Sequence, residues 1–304
     1  MTGIILDCDP GVDDAIALAL AVASPEIRLR AVTAVAGNRP VETTSRNARR
    51  LLDLLGAGDI PVYAGAARSL AYSEPRCSTS HGEDGLGGID IGSGNSIGSD
   101  HATDIIAAAL AGPQGAELTL VAVGPLTNLA LVEIKYPGLL ARAAAILVMG
   151  GAAFTAGNIT PAAEFNFWSD PLAAHVVLSS GADLRIFGLD VTSRVAMTPD
   201  FLGRLARGGG NSARKLHDML KVYGRSDPLL HDTCPVAFLV EPGMFTSERG
   251  YMQIDWSPGL GEGRSHFWPE MMETRPKPSN VSVVTHVDNG ALLTLLEERL
   301  VRLP

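Results

Sequence analysis

The sequence predicts an α/β protein built as a Rossmann-like open, mostly parallel sheet with helices on both faces. Two observations predict it. Short apolar runs rich in Ile, Leu and Val alternate with Ala/Leu-rich helical stretches over the first two thirds of the chain, the order that builds parallel strands joined by crossover helices. Glycines, acids and amides then recur directly after the apolar runs, where a doubly wound sheet binds its ligands.

The elements follow in order. Gly3 to Asp7 is a buried strand that ends in an Asp/Pro/Gly turn, and the stretch from about Asp13 to Ala23 suits a helix. Leu29 to Ala36 reads as a second strand, and Glu42 to Leu55 has helical periodicity stopped by Gly56 and Gly58. Val62 to Ala64 is a short strand. Residues 66 to 99, rich in Gly and Ser, read as a long loop, and loops of that length are usually functional. His101 to Ala111 is a helix, Leu118 to Val123 a strand, Leu126 to Ile134 a helix and Ala144 to Met149 a strand followed by a Gly-rich loop to about Pro161. Asp170-Pro171 opens a helix to Ser180, and Leu184 to Leu189 is a strand. Two helices fill 198 to 222 around Gly208, Gly209 and Gly210, and another runs from Asp232 to Val240. The region 243 to 287 reads as short strands and turns, and a helix from Asn289 to Leu300 closes the chain. With no internal repeat and no linker composition, the expectation is one domain over 1–304.

Composition bounds the function. The 304 residues are 46% hydrophobic and 19% charged, ordinary for a globular protein. A net charge of −9 without any Lys/Arg run argues against nucleic acid as a partner. No apolar run reaches the roughly 18–20 residues that span a bilayer, and MTGIILDCD lacks the features of a signal peptide. The three scattered cysteines, Cys8, Cys77 and Cys234, suit reduced thiols. A cytoplasmic location is therefore expected.

Three clusters carry chemistry. The first is Asp7, Asp9, Asp13 and Asp14, four carboxylates in eight residues with no Lys or Arg nearby. Crowded carboxylates repel unless something positive neutralises them, and all-oxygen ligands select Ca²⁺ or Mg²⁺ over zinc. Gly11 is read as allowing a tight turn that lets Asp9 and Asp14 converge. The plain alternative is that Asp13 and Asp14 cap the following helix. That explains two carboxylates but not four. Asp7 has the further option of bracing the loop from behind. The second cluster is His231-Asp232 ahead of an apolar helix, with Asp232 able to reach a metal while His231 faces a ligand; the alternative is a structural histidine. The loop before it, from Tyr223 to Pro228, has the look of a lid. The third is Asn158, Glu164 and Asn166, amides and a carboxylate suited to sugar hydroxyls, or else an ordinary turn.

In this order the clusters resemble the inosine–uridine preferring nucleoside hydrolase family. Asp7-x-Asp9-x-Gly11-x-Asp13-Asp14 matches its N-terminal hallmark. The Val-Gly-Pro-Leu-Thr-Asn run at 123–128, Ala163 to Asp170 and His231-Asp232 look like its central strand end, ribose segment and late His-Asp. The resemblance covers essentially the whole chain. It implies Ca²⁺ held by Asp9, Asp14, Asp232 and the backbone carbonyl of Val123. It implies ribose contacts from Asp13, Asn38, Asn158, Glu164 and Asn166, with His81 and Phe165 near the base or sugar. Asp9 would take a proton from the attacking water, and His231 would give one to the leaving base. The reaction so implied is hydrolysis of a ribonucleoside, a small-molecule substrate, to ribose and free base by a homotetramer or homodimer. None of Trp168, Trp256 and Trp268 adjoins His81 or His231, which favours a base-tolerant member over a purine-specific one. Tyr223 and Arg225 are candidates for base contact, and no function is drawn from 255 to 275. Two rivals are weaker. A haloacid-dehalogenase-like phosphatase wants Thr or Val where Gly11 stands and leaves Asp13-Asp14 unexplained, and a nucleoside-binding protein needs neither Asp9 nor His231.

Overall fold

The computed structural model of the protein describes residues 1–78 and 80–304. Its strands are Thr2–Cys8 (β1), Ile27–Ala34 (β2), Val62–Ala64 (β3), Leu118–Ala122 (β4), Ala145–Met149 (β5), Leu184–Phe187 (β6), Phe245–Ile254 (β7), Ser265–Pro269 (β8) and Val281–Val287 (β9). Among the described residues they form one nine-stranded sheet in the order β3-β2-β1-β4-β5-β6-β9-β7-β8. Every pairing from β3 across to β9 is parallel, whereas β7 runs antiparallel to both β8 and β9. The expected architecture is present, with a ten-residue strand, β7, where only short strands were expected.

Alternation along the strands builds two cores. Ile4, Leu6, Cys8, Val121 and Leu147 face one side, against helices Val12–Ala23 (α1), Val41–Leu54 (α2), Asn211–Tyr223 (α9), Thr233–Val240 (α10) and Asn289–Leu300 (α11). Ile5, Leu120, Ala122, Ile146 and Val148 face the other, against Ala102–Ala111 (α3), Thr127–Lys135 (α4) and Pro171–Leu178 (α6). The period of two sends successive residues of one strand to opposite faces, and both faces are covered, so the central strands β1, β4 and β5 are apolar along most of their length. α1 is apolar on nearly every side because it lies under α2, α9, α10 and α11 as well as on the sheet.

The chain leaves β1 toward β2 and β3 on one side and returns through β4, β5 and β6 on the other. The strand order therefore reverses between β1 and β4, and a crevice opens beyond their carboxyl ends. Hydrogen bonds carry the ladder one residue past the strands, from Val35 N–H to the Cys8 carbonyl (3.0 Å) and from Val123 N–H to the Asp7 carbonyl (2.8 Å). Three helices complete the chain: Phe165–Ser169 (α5), Leu189–Thr192 (α7) and Pro199–Arg207 (α8). α7 begins at Leu189, where the sequence reading continued a strand. The long connection after β3 holds no regular element among its described residues up to α3, apart from a bridge between Tyr63 and Gly98.

Candidate active site

A pocket of about 280 Å³ sits at the β1/β4 reversal. Asp9, Asp13, Asn38, His81, Val123, Asn158, Glu164, Phe165, Asn166, His231 and Asp232 all line it. Asp14, the remaining candidate metal ligand, lies below the lining, where it is 1% exposed.

The turn after β1 explains the acidic cluster. Asp14 reaches back from the first turn of α1 and accepts the Gly11 N–H (2.8 Å) and the Asp9 N–H (3.2 Å). It is thus a helix cap and a member of the acidic group at once. Asp13 is not a cap: its buried Oδ1 has no hydrogen-bond partner. Asp9 accepts the Asn38 N–H at 2.6 Å, and the Asn38 amide donates to the Asp9 carbonyl and to Asp14, both at 3.2 Å. Gly37 and Gly124 flank Asp9 so closely that a Cβ would stand 2.2 Å and 2.5 Å from its carboxylate oxygens. Gly11 differs from the expectation. Its φ is −97°, open to any residue; it is glycine because a Cβ would meet the His81 ring at 2.7 Å and the Asn38 amide at 2.8 Å. Asp7 points away from the pocket, where Thr33 (2.5 Å) and Asn128 (2.8 Å) donate to it, the bracing role held open in the sequence.

Asp232, at the start of α10, closes the group: Asp13, Asp14 and Asp232 each bring an oxygen within 4.8 Å of the others. Asp9 lies outside this trio but opens on the same pocket. Burial first, then mutual repulsion, pushes Asp9, Asp14 and Asp232 above the usual carboxylate range, Asp14 to about 6. Burial also raises Asp13, against the pull of His231. An orphaned buried oxygen within a self-repelling carboxylate group fits a hard divalent cation. Val123 lines the same pocket, and its carbonyl accepts the Asn166 amide at 2.9 Å, which uses one of its two lone pairs.

The ribose-type residues come from one short element. Glu164 caps α5 by accepting the N–H groups of Asn166 (2.7 Å) and Phe167 (3.1 Å), and it also accepts that of Gly151 (2.8 Å). Asn158 accepts the Phe165 N–H at 3.0 Å. The segment read as a sugar site or a turn is a capped helix whose cap and first turn face the pocket.

Two histidines face it from elsewhere. His81 Nδ1 accepts the Val12 N–H (3.1 Å), which places the proton of a neutral ring on Nε2. Burial lowers its pKa to about 4, so the ring is neutral near pH 7. It stacks on Tyr223, with centroids 4.9 Å apart and planes at 14°. His231 lies between Thr192, 2.8 Å from Nδ1, and Asp227, 3.4 Å from Nε2. Burial works against its charged form, but the Asp227 contact and the carboxylates of Asp13 and Glu164 outweigh it and raise the pKa. Sequence reasoning missed Asp227 and Thr192. Asp227 stands four residues before His231, a spacing that marked it only if the intervening segment were known to fold back. Tyr223 lines the pocket, whereas Arg225 lines a neighbouring cavity behind the His81–Tyr223 stack.

A parallel α/β sheet with a carboxylate nest at its reversal and a polar helix beside it defines a sugar-handling hydrolase site. The model of the inosine-uridine preferring nucleoside hydrolases matches residues 4–294. The pyrimidine-specific ribonucleoside hydrolase RihA of Klebsiella pneumoniae is 38% identical over 98% of this chain and 97% of its own. A plant nucleoside hydrolase, PpNRh1, superposes with a TM-score of 0.91 at 32% identity, over 99% of both chains. The purine-preferring ribonucleoside hydrolase of Gardnerella vaginalis does so with a TM-score of 0.91 at 30% identity, over 98% of both. The chain belongs to the nucleoside hydrolase family and is an N-ribosyl hydrolase.

Proposed function

We propose that this enzyme hydrolyses ribonucleosides in a calcium-dependent reaction and accepts both inosine- and uridine-type bases. The observation that carries it is the buried carboxylate nest with the unpartnered Asp13 oxygen, facing the Asn158–Asn166 segment across one pocket. Asp9, Asp14, Asp232 and the Val123 carbonyl would hold the ion, with Asp13 beside it toward the ribose. When bound, calcium supplies positive charge that orients the ribose diol and lowers the pKa of an attacking water.

The chain's own residues do the rest. Asp13, Asn38, Asn158, Glu164 and Asn166 orient the hydroxyls, and the surrounding negative charge favours the oxocarbenium-like sugar. Asp9, clamped by the Asn38 N–H, accepts the proton of water. His231, its ring held by Thr192 and Asp227, donates one to the departing base. Attack from the face opposite the base inverts the anomeric carbon. Base tolerance is supported by the pocket wall: no tryptophan lines it among the described residues, and Ser78, Ser80, His81 and Ser226 do.

The test is reducing-sugar release from inosine, uridine, cytidine and adenosine, with and without a calcium chelator, run beside Asp9→Asn. Release that chelation stops, that calcium restores and that Asp9→Asn lowers by about 10²–10⁴-fold is expected. Chelator-resistant release would remove the metal, and an active Asp9→Asn the base. A preference confined to one base would remove the tolerance.

A further inference from the structure

The connection between β3 and α3 brings Ser78, Ser80 and His81 to the pocket, and its described part before Ser78 holds a cluster that the reaction does not use. Arg76 lies between two aromatic rings, its guanidinium carbon 3.7 Å from the centroid of Tyr72 and 4.4 Å from that of Trp168. It donates to the Trp168 carbonyl at 2.8 Å and, through Nη2, to both oxygens of Glu262 at 3.2 and 3.1 Å. The Tyr72 hydroxyl also donates to Glu262, and Ser169 donates to the Arg76 carbonyl at 3.4 Å.

Three parts of the chain meet here. Tyr72 and Arg76 belong to the long connection. Trp168 belongs to α5, two residues after Asn166. Glu262 belongs to the turn between β7 and β8, within the stretch 255 to 275 from which no function was drawn above. That turn is seated directly on α5. Gly263 has φ +81°, and a Cβ there would stand 2.8 Å from the Trp168 Cα. The Arg76 and Glu262 side chains are 17% and 11% exposed, so solvent and salt screen the pair far less than a surface ion pair. Planar stacking with a two-oxygen acceptor is a use of Arg that Lys does not reproduce.

We propose that Arg76 and Glu262 are positioning residues, a clasp that holds the Ser78, Ser80 and His81 wall against the ribose helix α5 and so sets how tightly the nucleoside is bound. The inference about substrate rests on the nucleosidase reading above. The clasp touches no reacting atom. It acts through Trp168 on the helix that carries Phe165 and Asn166, and through the chain on Ser78. The far end of the same wall is fixed independently, by the Val12 N–H on His81 and by the Tyr223 stack. Loss of the clasp therefore loosens one edge of the pocket and leaves the carboxylate nest in place.

Two readouts test it on the intact enzyme. The first needs no activity: trypsin cuts after Arg76 only when that side chain leaves its aromatic slot. In Glu262→Ala, cleavage at Arg76–Cys77 should quicken about tenfold relative to cleavage elsewhere, the size of a coupled, partly buried pair. Glu262→Gln, which keeps the shape and removes the charge, should fall between, at an unchanged melting temperature. The second is kinetic. Glu262→Ala and Arg76→Ala should each raise KM about tenfold with kcat held within about threefold, and the double variant should be no worse than the poorer single one. An unchanged cleavage rate in both Glu262 variants overturns the clasp. Faster cleavage with KM unmoved, or KM effects that multiply in the double variant, overturns its role in substrate binding. A wild-type enzyme inert on all four nucleosides defeats the proposed function instead, and the proteolysis alone then decides the clasp.

Discussion

Neighbouring backbone and side-chain groups hold the two side chains proposed to react, Asp9 and His231. Asp9 is fixed by one N–H from Asn38 and by the closeness of Gly37 and Gly124, so it has little room to turn. His231 is fixed at both ring nitrogens. This bears on its proposed part as proton donor. His231→Ala is expected to lower turnover of inosine by about 10²–10⁴-fold and to cost far less on a riboside whose leaving group needs no proton. Steady-state rates on the two substrates check it, and equal losses would take the residue out of that role. The acids and His231 were legible because their types and spacing are unusual in the chain itself. Asp227 and Thr192 were not, since each acts on His231 only after two loops and α7 have brought them together. Gly11 was legible as a glycine that matters, but its reason, the room needed by His81, lies 70 residues along the chain.

At the level of elements, α4 ties the site to the sheet through one residue. Asn128 donates to Asp7 (2.8 Å) and to the Ala34 carbonyl (3.1 Å), and accepts the Ala66 N–H (2.8 Å). One side chain thus joins β1, β2 and the start of the long connection. Asn128→Ala would take one hydrogen bond from each of three buried groups, Asp7 keeping that from Thr33, and should cost about 2–4 kcal/mol of stability, read from the denaturant midpoint. A loss below about 0.5 kcal/mol would show that water replaces the amide. The long elements were readable from periodicity, and α8 and α9 were separated correctly by their glycines. The short ones were not. α5 and α7 have five and four residues, too few for a helical period to register, and exist because Glu164 caps one and Gly188 opens the other. The ten-residue β7 hides for another reason: four of its residues are exposed, a bulge interrupts its pairing, and its register is set by β8 and β9 rather than by its own pattern.

For the whole molecule, the buried acids link stability to both protons and cations. Burial lifts Asp14 to about 6 and Asp7 to about 7 from an ordinary value of 3.8. A carboxyl whose folded pKa is raised holds its proton more tightly folded than unfolded. Its contribution is thus complete below its unfolded pKa and lost as pH rises through the folded one. Without a cation the enzyme should therefore lose stability as pH climbs from about 4 toward 7. A cation favours the charged carboxylates and displaces the protons. Millimolar calcium should accordingly raise the melting temperature more at about pH 7.5 than at about pH 5.5, where protons compete for the same oxygens. A calcium shift equal at both values would place the ion away from these acids.

The pocket joins two kinds of wall. Its floor hangs from the ends of β1 and β4, where the ladder bonds of Val35 and Val123 hold the chain. Much of its upper wall is lent by the connection after β3 and the segment after α9, which hold no helix or strand of their own among the described residues. A pyrimidine-specific and a purine-preferring relative share this chain's family at 38% and 30% identity. Segments of this kind can change sequence or length without altering the strand ends that lead to Asp9 and Val123. New tastes in nucleobase then arise without refounding the enzyme.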